Sequence, residues 1–139
     1  MKRLICALVV LVMSIGIGTS VFAEQPITVK IKDTPVVFPD QEPVKLNDRV
    51  LVPMRAIFEA LGATVVWNDI NQTAVGQKAG KQVQITVNST TVNINGKITP
   101  LDQPAILMND RVLVPVRVIA ESFGAKVGWD DATWTVLID

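Results

Sequence analysis

The sequence predicts an α+β fold: two duplicated units of short antiparallel strands, each packed on one short helix. Three observations carry that expectation. Asn47 to Val75 aligns without gaps on Asn109 to Leu137, a shift of 62, with 16 of 29 positions identical. Within each copy a helical apolar period follows a proline and stops at a glycine. Around the helices the period falls to two, broken by polar turns.

The two aligned stretches read NDRVLVPMRAIFEALGATVVWNDINQTAV and NDRVLVPVRVIAESFGAKVGWDDATWTVL. Asp40-Gln41 and Asp102-Gln103 extend the match upstream, and with one indel Val29-Lys30-Ile31 pairs with Val92-Asn93-Ile94. The units are expected at about residues 27–88 and 89–139. A unit of roughly 60 residues without disulfides buries too little surface to stand comfortably alone. No Gly/Ser or Pro-rich linker separates the copies. One pseudo-twofold domain or two tightly packed halves are therefore expected.

In each copy an apolar strand end, Leu51-Val52 in the first, runs into Pro53 or Pro115, placed where a first helical residue tolerates a missing N–H. Met54, Ile57, Phe58 and Leu61 then share one helical face, as do Val116, Ile119, Ala120 and Phe123. Gly62 and Gly124 supply the helix stops. Val65 and Trp67, then Val127 and Trp129, alternate as strands, followed by polar turns at Asn68 to Gln72 and Asp130 to Thr133. Between the copies, Gln82 to Val87 and Thr91 to Ile94 alternate, and Asn95-Gly96 is a strong two-residue hairpin turn.

The first 23 of the 139 residues read as a secretion signal. Lys2 and Arg3 precede an apolar stretch from Leu4 to Gly18, and Val21-Phe22-Ala23 places small residues where a signal peptidase reads. A retained transmembrane helix needs about 20 apolar residues, more than this run offers. Cys6 does not stand at the end of the apolar run, where a lipoprotein anchor would be. Cleavage after Ala23 and a secreted product are expected, with no membrane attachment afterwards.

The full chain carries 13 basic and 13 acidic side chains, so losing Lys2 and Arg3 leaves a balance of −2. That balance argues against nucleic acid and against an anionic membrane. There is no His, no Tyr, and no Cys after Cys6. Imidazole or thiolate metal sites, Cys–His and Ser–His catalysis, and a disulfide framework are excluded. A non-enzyme without metal or cofactor is expected.

The string N-D-R-V-L-V-P-x-R-x-I, a helix ending in G-A, then V-x-W-[ND]-D resembles the copper amine oxidase N-terminal-like domain, also called the stalk domain, over Ile27 to Asp139. That family's usual Asn-Gly-Arg is here Asn47-Asp48-Arg49 and Asn109-Asp110-Arg111. The change weakens the expected tight turn slightly, although Asn and Asp tolerate left-handed backbone. The resemblance implies a secreted, non-catalytic module of Gram-positive bacteria; copper and quinone belong to a different domain of amine oxidases. The signal plus tandem arrangement is similar to a small secreted serine-protease inhibitor within that family.

Arg55 and Arg117 sit in the first helical turn, where the macrodipole disfavours cations. Glu59 and Glu121 follow four residues later, the less favourable order for a pair. A repeated ion pair or backbone clamp explains them more simply than a partner contact, since one partner seldom needs both copies. Core packing is the plainer role for Trp67 and Trp129, while Trp134, aligned with Gln72, is the better surface candidate for stacking on wall sugars. Asp130-Asp131 and Asn68-Asp69 read as turn residues. Glycosidase carboxyls must face each other across a cleft, and calcium needs several oxygens from one loop.

A substrate-like inhibitor presents a rigid extended loop, and an interface on the order of 1,600 Å² is within reach of 116 residues. Candidate loops are Leu46 to Arg49 and Met108 to Arg111, with Asn47, Asp48, Arg49, Asn109, Asp110 and Arg111 at their tips, and Lys78 to Lys81. Plain hairpin residues are the simpler account of these tips. Missing disulfides leave only flanking strands to hold a nicked loop, or an edge strand to add to the protease. Two readings stand: a secreted inhibitor of serine proteases acting by stoichiometric complex, and a structural or cell-wall-associated interaction module. Exposed strand edges also leave a homodimer open.

Overall fold

Local sequence makes the hairpins, and long-range pairing decides which sheets they join. The computed structural model describes residues 25–139; the signal segment and the cleavage point after Ala23 lie outside them. The chain runs β1 (Thr28–Ile31), β2 (Thr34–Pro35), β3 (Val44–Leu46), β4 (Arg49–Pro53), α1 (Met54–Ala60), β5 (Thr64–Asn68), β6 (Thr73–Lys78) and β7 (Lys81–Thr86). It continues through β8 (Thr91–Ile94), β9 (Lys97–Pro100), β10 (Ile106–Met108), β11 (Arg111–Pro115), α2 (Val116–Ser122), β12 (Val127–Asp130) and β13 (Thr135–Ile138).

These strands form three sheets: β12-β13-β1-β2, β10-β11-β4-β3 and β5-β6-β7-β8-β9. The expectation of duplicated α+β units is thereby corrected. Strand occupies 48% of the described residues and helix 12%, so the fold is mainly β. The reason is physical: each helix is seven residues long, about two turns, and too short to cover a unit of its own. The sheets take over that work by crossing the duplication. In the central sheet Val52 faces Val114, its counterpart 62 residues on, and Leu51 faces Pro115 as Pro53 faces Leu113, so the pairing is reciprocal about that centre. The first sheet joins the two ends of the described residues, β1 running parallel to β13 from Thr28–Thr135 to Ile31–Ile138. Periodicity within a strand carries no information about such a partner.

The local readings survive inside this different plan. Met54, Ile57, Phe58 and Leu61 are buried, as are Val116, Ile119, Ala120 and Phe123. They share one core with Val83, Ile85, Val92, Val136 and Ile138 from the strands around them. Phe58 and Phe123, one from each copy, meet edge to face with ring centroids 5.9 Å apart. Both helices close on the same pair of bonds. Gly62 N donates to Glu59 O and Ala63 N to Phe58 O, and Gly124 and Ala125 repeat this on Glu121 and Ala120. Such a stop requires left-handed backbone after the cap, and Gly62 and Gly124 adopt φ of 82° and 89°. Pro53 and Pro115 stand one position earlier than expected, as the last strand residue and the N-cap.

Candidate interaction site

The repeated Asn-Asp-Arg triplets form two-residue turns between β3 and β4 and between β10 and β11. Asn47 and Asp48 have φ of 51° and 62°, Asn109 and Asp110 of 52° and 63°. Two consecutive positive φ values match the twist of the flanking strands, and Asn and Asp reach that region at lower cost than other non-glycine residues. Their side chains then reach across the duplication. Asn47 Nδ2 donates to Gln103 Oε1 at 2.9 Å, and Asn109 Nδ2 to Gln41 Oε1 at 2.9 Å. Arg49 pairs with Asp102 at 2.9 Å and Arg111 with Asp40 at 3.3 Å. Each turn is clasped by the Asp-Gln pair of the other copy. Of the six loop-tip candidates, Asn47, Asp48, Asn109 and Asp110 stand on left-handed turn backbone, Arg49 and Arg111 open the strands that follow, and the asparagines and arginines form the fastenings. Lys78 to Lys81 is another tight turn, with φ of 51° at Ala79 and 79° at Gly80. The repeated Asp-Gln pairs were visible in the sequence, but nothing local said that they cross over.

Arg117 makes a backbone bond and an ion pair. Its Nη1 donates to Val127 O at 3.0 Å and reaches Glu121 Oε2 at 3.4 Å. Arg55 makes neither bond among the described residues and stands exposed beside a cleft of about 920 Å³. That cleft is walled by Pro35, Val36, Phe38, Met54, Glu59 and Trp67, with Arg111 entering from the other copy. The corresponding cleft beside Arg117 measures about 520 Å³ and includes Val116, Trp129 and Arg49. Lys45 lines it: its Nζ lies 5.4 Å from the Trp129 ring and 4.9 Å from the Trp134 ring, and the two rings are 6.2 Å apart. Residues 62 positions away from Lys45 and Trp134 are Leu107 and Gln72, so the first cleft has no such cation over paired rings. Trp67, Trp129 and Trp134 all pack partly buried against the core.

The acidic turn residues serve their turns. Asp130 Oδ1 accepts from Ala132 N at 3.0 Å, and Asp131 Oδ1 from Trp129 Nε1 at 3.1 Å. Asn68 and Asp69 repeat this on Ile70 and Trp67. Among the described residues no group of three metal-ligating side chains comes together, and no helix is long and apolar enough to cross a membrane.

Sequence reasoning missed one segment, Val36 to Gln41, which runs between β2 and β3 along the open cleft. Val36 and Phe38 pack against the core while Val37 between them is 78% exposed. In–out–in alternation over three residues is the mark of extended backbone. One end is held by Val36 N donating to Val29 O at 2.8 Å, the other by the clasp on Asp40 and Gln41. The available signal was the spacing of Pro35, Pro39 and Pro43, which disfavours helix and stiffens what lies between.

The model of the family described as the copper amine oxidase N-terminal domain matches residues 30–138. No curated protein matches the chain.

Proposed function

The chain belongs to the copper amine oxidase N-terminal domain family, a family of non-catalytic stalk domains, and from that premise we propose a secreted binding protein that inhibits serine proteases. It is not an enzyme in this reading and forms a stoichiometric complex. The supporting observation is an extended apolar segment, Val36 to Phe38, carried on a β scaffold and tied down on both sides. Preorganisation of that kind is what lets a substrate-like loop bind tightly, because little conformational freedom is lost on docking. The clasp also meets the difficulty of a chain without disulfides beyond Cys6: it holds the downstream end of the segment by side-chain bonds alone.

The test is a titration of Glu24 to Asp139 against purified serine proteases, read on a small chromogenic substrate. A linear loss of activity ending near one equivalent is the expected result. Unchanged activity at large molar excess would sink the inhibitor reading. A second reading, a cell-wall-associated module, is favoured by the open cleft, where Trp67 offers a stacking face and Arg55 an unengaged guanidinium. Co-sedimentation with purified wall, lost in Trp67→Ala, is its expected signature.

A further inference from the structure

We propose that Val37 is the residue offered to the specificity pocket of the protease, and that the Val37–Phe38 bond is the one laid against the catalytic serine. The partner is then an elastase-type serine protease, one whose pocket accepts a small aliphatic side chain. This rests on the inhibitor reading above.

Three observations single out Val37. It is 78% exposed in the middle of an extended segment, while its neighbours Val36 and Phe38 are turned toward the core. A protease cleft binds its ligand as an extended strand and takes one side chain into a deep pocket, so an outward side chain between two anchored ones meets the requirement. Ile70, Val66 and Ile98 are also exposed, but Ile70 stands in a turn held by Asn68 Oδ1, and Val66 and Ile98 lie within the regular strands β5 and β9 of one sheet, not on a connecting segment. Pro39 forces its predecessor Phe38 away from helical geometry, which keeps the bond's far side extended too.

The same anchoring decides the outcome of attack. The protease serine Oγ adds to the Val37 carbonyl carbon and passes its proton to the protease histidine. The C–N bond to Phe38 breaks as that proton moves to the leaving amine, giving an acyl-enzyme on Val37. In an ordinary substrate the amine diffuses away and water replaces it. Here Phe38 is packed on the core and Asp40 and Gln41 are clasped by Arg111 and Asn109, so the new amine stays beside the ester. It can attack the acyl carbon, expel the serine oxygen and restore the peptide bond with no net change. High effective concentration favours that return over hydrolysis.

The experiment uses Glu24 to Asp139 and the variants Val37→Asp and Val37→Arg against elastase-, trypsin- and chymotrypsin-type proteases on chromogenic substrates. Wild type is expected to titrate the elastase-type enzyme. Val37→Asp should weaken inhibition by about 100-fold or more, since a carboxylate is forced into an apolar pocket. Val37→Arg should transfer inhibition to the trypsin-type enzyme. Both should melt with wild type, because the side chain is exposed. Mass spectrometry of the aged complex should find a nick after Val37. Inhibition that neither substitution moves, or a nick elsewhere, overturns the assignment of Val37 and leaves the inhibitor reading standing. Full activity of all three proteases at large excess overturns both.

Discussion

The clefts beside Arg55 and Arg117 occupy corresponding places in one sequence pattern, yet one is wide and the other is narrowed by Lys45. Around Arg117 the cations have internal uses: the guanidinium holds Val127 O and Glu121, and Lys45 covers Trp129 and Trp134. Around Arg55 the same pattern leaves a larger cavity, bordered by the Val36 to Gln41 segment. The parts that match are those joining the halves: the central pairing of Val52 with Val114, the glycine helix stops and the crossed clasps. Each half completes the other's sheets, so those parts constrain both copies at once. A cleft touches little outside itself and is free to differ.

The core shows a compensated version of the same divergence, and it gives the largest expected effect. In the first copy Phe58 lies against Gly76, where an added Cβ would come within 2.6 Å of Phe58 Cε1. The corresponding positions in the second copy hold Ala120 and Ile138. The pair large-plus-none has become small-plus-large. Phe58→Ala should lose about 3–5 kcal/mol in urea denaturation, since Phe58 is fully buried. Gly76→Ile alone should lose about 1–3 kcal/mol or more through overpacking. Combined, Phe58→Ala with Gly76→Ile should cost clearly less than the sum of the two. Simple additivity would show that the exchange of volume is not what relates the copies.

The clasps come next. They look alike, but Gln103 is 6% exposed whereas Gln41 is only half-buried. Asn47→Ala and Asn109→Ala each remove a neutral hydrogen bond, about 0.5–1.5 kcal/mol, and leave Ala on left-handed backbone at about 1 kcal/mol. Asn47→Ala should cost more, because Gln103 loses a partner where water cannot easily replace it. Asn47→Gly keeps the backbone permissive and isolates the bond. Equal losses at the two sites would mean that burial of the glutamine does not distinguish the clasps.

How much of the molecule was legible depends on the range over which each signal acts. Helix faces, glycine stops and turns depend on residues within a few positions, and Met54 to Gly62 and Val116 to Gly124 carry them openly. Fold class failed for a different reason. The pairing of β1 with β13 joins strands about a hundred residues apart, and short helices leave the sheets dominant. The unfavourable place of Arg55 and Arg117 on their helices says that something else positions them but not what; Val127 O and Glu121 engage Arg117, and among the described residues neither bond is repeated at Arg55. The Val36 to Gln41 segment is too short and too irregular for periodicity to register, and its shape depends on a clasp from the other copy. The family match over residues 30–138 agrees with the motif string read from the sequence and is silent on a partner.

The smallest expected effect concerns the ion pairs of the clasps. Arg49–Asp102 is the shorter, with side chains 48% and 78% exposed; Arg111–Asp40 is longer, at 47% and 64%. Pairs this wet are worth under about 1 kcal/mol, because each charge keeps most of its hydration and the side chains lose freedom on pairing. Arg49→Gln and Arg111→Gln should each destabilise by no more than that at low ionic strength. Both differences should shrink toward zero near 1 M salt, where the screening length is about 3 Å. The asparagine bonds, being uncharged, should keep their effect at that salt. If the Arg111→Gln loss persists undiminished, its contribution is packing of the guanidinium stem against the open cleft, and the two clasps differ in kind where they now look like copies.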